Sequence, residues 1–125
     1  MMAQILSIAL GGSIGAVMRF LMSTGIHGLL GRGFPYGTLL VNVLGSLVMG
    51  VLYELLSQRI SVSPEVRSIL LIGFLGAFTT FSSFSIETVN LIEQGDIIKA
   101  LLNVFLNVVL CVLAAWAGLL LMRQL

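Results

Sequence analysis

Alcohols, amides and aromatic rings are the side chains through which this chain could bind a solute, and they cluster. From Thr79 to Ser85, five of seven residues carry hydroxyls and the other two are phenylalanine. Thr38, Asn42 and Ser46 recur at every fourth position, as do Asn103, Asn107 and Cys111. A helix turns each set into a stripe along one face. Either stripe alone is compatible with interhelical hydrogen-bond glue. Two asparagines in one helix and one in another exceed what packing needs, which favours a solvated or ion-lined path. Phe74, Phe78, Phe81 and Phe84 follow at spacings of four, three and three, a pattern that serves core packing. It also allows electropositive ring edges, beside the hydroxyls of Ser82 and Ser83 and the asparagine amides, to cradle a small, strongly hydrated anion without a full positive charge.

The elements that hold these groups must be membrane helices. The chain has 125 residues and 11 charged ones (six Lys/Arg, five Asp/Glu), where a soluble domain of this length carries roughly 31. With 58% hydrophobic residues and a mean hydropathy of +1.14, it has too little polar surface to cover a core in water. Apolar stretches long enough to cross a bilayer run from Ile5 to Ile26, Tyr36 to Ser57, Val66 to Ile92 and Ile97 to Met122. They form a single four-helix transmembrane domain over residues 1–125. Met1-Met2-Ala3-Gln4 has no basic run, so the first stretch is expected to be retained.

Connectors are expected at His27 to Pro35, Gln58 to Glu65 and Glu93 to Asp96. Ser63 is placed as an N-cap with Pro64 behind it, and His27 as a solvated loop histidine. Glu54 reads as an interfacial charge close to Arg59, while Glu87 lies deep enough to need Arg19 or a vestibule. In span three, Gly76 precedes two β-branched threonines, a poor helix interior. An unwound turn is one outcome; a continuous helix with hydroxyls bonded to carbonyls four residues back is the other. Unwound backbone at that depth has to be buried or line a cavity, and transport proteins use it for ion sites.

Basic residues near span ends are balanced. Arg59, Arg67 and Arg123 fall on the side of the termini; Arg32, Lys99 and, if it reaches outward, Arg19 fall on the other. Orientation follows such charges, so a balanced chain can insert both ways and pair with an inverted copy. A bundle of four helices has little room for an axial water path, and transport therefore implies an oligomer. Scattered charge offers nothing to a phosphate backbone, and nucleic acid is not an expected partner. The lone Cys111 precludes an intrachain disulfide and reads as a small apolar residue.

Three stretches then resemble a known family, the small dual-topology fluoride channels of bacteria, or Fluc-type exporters. They are Gly11-Gly12-x-x-Gly15-Ala16-x-x-Arg19-Phe20, Gly37-Thr38-Leu39-x-x-Asn42-x-x-Gly45-Ser46, and Gly73-x-x-Gly76-x-x-Thr79-Thr80-Phe81-Ser82-x-Phe84-Ser85. The resemblance covers nearly the whole chain. It implies an all-α membrane protein with a broken third helix, assembled as an antiparallel homodimer with two pores in the bacterial cytoplasmic membrane. Phe81 and Phe84 would contact fluoride, and Asn42 would donate its amide to the same path, with Thr38, Ser82 and Ser83 nearby. Gly76 and Thr79 would give backbone carbonyls to a central structural sodium ion, and Arg19 would stand at the vestibule. The fourth-helix polar track, often Tyr and Ser in relatives, corresponds here to Asn103, Asn107 and Cys111.

Other functions fit less of the sequence. A small multidrug-type antiporter needs a carboxylate in its first span, and none is present. An accessory subunit gives no reason for asparagine stripes to coincide with the hydroxyl and phenylalanine cluster. An enzyme is not expected, since no nucleophile-base-orienter set occurs.

Overall fold

The computed structural model describes residues 1–125. Helix α1 spans Met2–Leu30 and α2 spans Tyr36–Glu54, the latter continued by a π-helical turn over Leu55–Arg59. The third span is composite: α3 (Pro64–Arg67), a π-helical stretch (Ser68–Phe74), α4 (Leu75–Phe78) and α5 (Phe81–Glu93). Helix α6 spans Ile97–Gln124. Four helical runs are long and apolar enough to cross a membrane, and the chain is a multi-pass membrane protein.

Local chemistry sets the ends. Gly31 closes α1 at φ 81°, and Gly95 at φ 82° turns the chain before α6; both sit in the left-handed region that glycine tolerates. The Ser63 hydroxyl accepts the Val66 N–H at 3.3 Å, with Pro64 opening α3. Helix α1 runs past the sequence-based boundary, so His27 is not a loop residue. It lies within the last turn of α1, half-buried.

Spans of the same direction pair closely. Helices α1 and α3–α4 run side by side, as do α2 and α6, because glycine lets their backbones touch. A Cβ on Gly15 would collide with the Phe74 carbonyl, and one on Gly50 with the Ala115 carbonyl. Gly118 is packed reciprocally against Leu47 of α2. Gly50→Ala is therefore expected to cost at least the roughly 1–3 kcal/mol of an overpacked core, read as lower thermal stability in detergent; an unchanged midpoint would refute the close approach.

Polar ties fix both ends of the α2–α6 pair. Arg59 Nη2 donates to the Arg123 carbonyl at 2.8 Å, and Lys99 Nζ donates to the Gly33 carbonyl at 3.1 Å. Glu54 departs from the sequence-based expectation. Read from the sequence as an interfacial charge, it is buried and forms an ion pair with Arg123 at 3.3 Å. Only 24 of 125 residues are buried, so the outer faces are left apolar. Phe20, Phe105 and Trp116 are among the exposed side chains, as a lipid-facing surface requires.

Candidate functional site: an extended turn between two cavities

Between α4 and α5 the backbone is extended at Thr79 (φ −82°, ψ 158°) and Thr80 (φ −152°, ψ 116°). Extended dihedrals suit β-branched side chains, and both hydroxyls repair what the turn exposes. Thr79 Oγ1 donates to the Leu75 carbonyl at 2.9 Å, while Thr80 Oγ1 caps α5 by accepting the Ser83 N–H at 3.1 Å. Thr80 Oγ1 also bonds Ser83 Oγ and lies 3.2 Å from Ser82 Oγ.

Asn42 of α2 clasps this turn. Its Oδ1 accepts the Thr80 N–H at 2.8 Å, and its Nδ2 donates to the Thr80 carbonyl at 3.0 Å. The same Nδ2 donates to Asn107 Oδ1 at 3.2 Å. Asn107 Nδ2 in turn donates to Asn103 Oδ1 at 3.0 Å, and Asn103 Nδ2 to Thr88 Oγ1 at 2.9 Å. The asparagines thus form one hydrogen-bonded chain joining α2, α6 and α5, and each of the three is buried. Redirecting two N–H groups has a further effect. In an uninterrupted helix the Thr80 N–H would serve the Gly76 carbonyl and the Ser83 N–H the Thr79 carbonyl; here they go to Asn42 and to Thr80 Oγ1.

The phenylalanines divide by role. Phe74 and Phe78 stack at 5.9 Å, with Phe78 buried. Phe81 and Phe84 meet edge-on at 5.3 Å and 63°. Phe84 is buried, whereas Phe81 at the first position of α5 is 77% exposed. Both border an open groove of about 390 Å³ that Asn42, Thr79, Asn107 and Cys111 also line.

Other residues singled out from the sequence lie elsewhere. Thr38, Ser83 and Arg19 line a separate cavity of about 250 Å³ on the α1 side, together with Glu87 and His27. Thr38 Oγ1 donates to Glu87 Oε1 at 2.6 Å, and Glu87 makes no ion pair with Arg19. Asn103 sits behind the groove, 1% exposed, and Ser82 and Gly76 are exposed. Sequence reasoning missed Thr88, which ends the asparagine chain, and the position of His27. The Gly31 stop signal after Leu29-Leu30 would have kept His27 helical.

The fold and this turn can be set beside known proteins. A family profile described as "CrcB-like protein, Camphor Resistance (CrcB)" matches residues 6–119. The chain belongs to the CrcB family. Three relatives share the name "Fluoride-specific ion channel FluC". The one from Methylococcus capsulatus is 52% identical over 122 residues, 98% of this chain and 54% of that protein, so the chain spans about half of that relative's length. The Magnetococcus marinus relative is 53% identical over 116 residues, covering 93% and 94% of the two chains. The Geobacter sulfurreducens relative is 48% identical over 124 residues, covering 99% and 100%. The shared name of these CrcB-family relatives is that of a channel and not of an enzyme.

Proposed function

We propose that the chain is a passive, fluoride-selective channel that works as an antiparallel homodimer with two pores and releases cytoplasmic fluoride across the bacterial cytoplasmic membrane. The observation that carries this is Phe81, exposed at the first residue of α5 beside the edge-on ring of buried Phe84, on a groove that contains no Lys or Arg. The first N–H groups of a helix have no intrahelical acceptor and carry the positive end of its dipole. Ring edges and these N–H groups together replace the water that fluoride gives up, with no fixed charge to trap it. The names of the relatives support the choice of anion.

Asn42 is engaged with Thr80 and Asn107, so it reaches the ion by exchanging its Asn107 bond for one to fluoride. Asn103 and Asn107 lie behind it and hold its amide in place. Thr38, Ser83 and Arg19 belong to a polar vestibule on the α1 side. The residues also fit a sodium ion. The Gly76 and Thr79 carbonyls have lost their helical donors, and oxygen ligands of this kind suit a hard cation. Carbonyls from both copies would hold it, and the ion would supply cross-linking and positive potential.

The first experiment is efflux from liposomes loaded with fluoride or with chloride. Rapid fluoride release with chloride retained is expected; equal leakage of both, or of neither, refutes the channel. Phe81→Ile should slow fluoride release about tenfold, which corresponds to ~1.4 kcal/mol on the barrier, without changing the dimer on size exclusion. Release at the parental rate would reduce the ring to packing.

A further inference from the structure

Two polar cavities on the α1 side meet at His27 and Glu87, which line both. The inner one, about 250 Å³, reaches from Thr80 and Ser83 at the extended turn. The outer one, about 420 Å³, opens between Arg32 of the α1–α2 connector and Lys99 in the first turn of α6. At their junction, His27 Nδ1 and Glu87 Oε2 are both buried without a hydrogen-bond partner. Buried polar atoms are nearly always paired, so two orphans sharing two cavities call for an explanation. Neither group is free to swing away. Thr38 holds the other carboxylate oxygen at 2.6 Å. The imidazole lies against the first turn of α2, where a Cβ on Gly37 would stand 2.8 Å from Nε2.

We propose that His27 is a positioning residue that acts through Glu87 and makes fluoride passage between the two cavities depend on pH, a role that rests on the channel function proposed above. The charged and titratable groups facing this junction are Arg19 from α1, Glu87 from α5, Arg32 from the α1–α2 connector, and Asp96 and Lys99 at the start of α6. Helix α2 offers Thr38 there and no titratable group. Lys99 is already turned to the Gly33 carbonyl. An ionised Glu87 repels a halide where the two cavities adjoin. A protonated imidazole offers Nδ1–H to Glu87 Oε2, offsets the negative charge and lets the anion pass. Histidine is the side chain whose charge changes between pH 5 and 8, so passage rises as pH falls.

The test is fluoride efflux from liposomes with the same pH in both baths, because an antiparallel pair presents one junction to each side. Protein-free vesicles correct for leakage of HF through lipid. Release at about pH 5.5 should exceed that at about pH 8 roughly tenfold, the lower end of electrostatic focusing by a charged cleft. In His27→Gln the ratio should fall to about one, and in Glu87→Gln it should fall likewise. A parental ratio near one with rapid fluoride release overturns the role of His27 and leaves the channel standing. A ratio that survives in His27→Gln but not in Glu87→Gln also overturns it, by placing the proton on Glu87. Absence of release at every pH from folded protein overturns both.

Discussion

Asn42→Ala is expected to be the most damaging single side-chain truncation in the protein. It removes the acceptor of the Thr80 N–H, the donor to the Thr80 carbonyl and the donor to Asn107 Oδ1 together. Each buried group left unpaired costs about 1–3 kcal/mol, less wherever water from the adjoining groove replaces the lost partner. The sum is roughly 3–6 kcal/mol, discounted for relaxation of the turn. Thermal unfolding in detergent should drop sharply, and fluoride release should fall with it in whatever fraction stays folded. Asn42→Asp separates the two halves of the clasp, since it keeps an acceptor for the Thr80 N–H and loses both donors. An Asn42→Ala protein that melts with the parent would show that the extended turn is held by something else.

The second large effect is expected at Gly76, and it should be one of assembly. Within a single chain an added Cβ there meets nothing nearer than the Leu71 carbonyl at 3.9 Å, so Gly76→Ala leaves the protomer's own packing intact. Gly76 is nevertheless exposed on the third span, where the proposed inverted copy and sodium ion would lie. The variant should therefore appear as monomer on size exclusion in detergent while keeping its helical circular dichroism. Gly50→Ala should show the reverse, a loss of thermal stability in the protomer. Gly76→Ala that remains a dimer of undiminished stability argues against carbonyls meeting at that position.

The four spans were legible because twenty-odd apolar residues in a row have few other uses. Capping chemistry at Ser63-Pro64 and the turn at Gly95 are written in adjacent residues and could be read there. Partners distant in sequence could not. Glu54 lies near Arg59 along the chain, yet its ion pair is to Arg123, because α2 and α6 run side by side in one direction and end together. The π-helical stretches at Leu55–Arg59 and Ser68–Phe74 shift which face each following residue presents, and no apolar period announces them. Even in unbroken α2 a shared face does not mean a shared site. Of the stripe Thr38, Asn42 and Ser46, Thr38 borders the cavity of Glu87, while Asn42 and Ser46 border the groove of Phe81, because Thr80 lies between the two. That asparagines and hydroxyls would gather near Thr79-Thr80 was readable from composition. Which amide grips which peptide depends on the register between helices, and one sequence does not contain it.

Thr79 and Thr80 leave an electronegative helix end and an electropositive one facing the same short gap, both made from main-chain atoms. Peptide groups do not ionise. The polarity of this gap is thereby the same in acid as in alkali, and any response to pH is left to the side chains around its entrances.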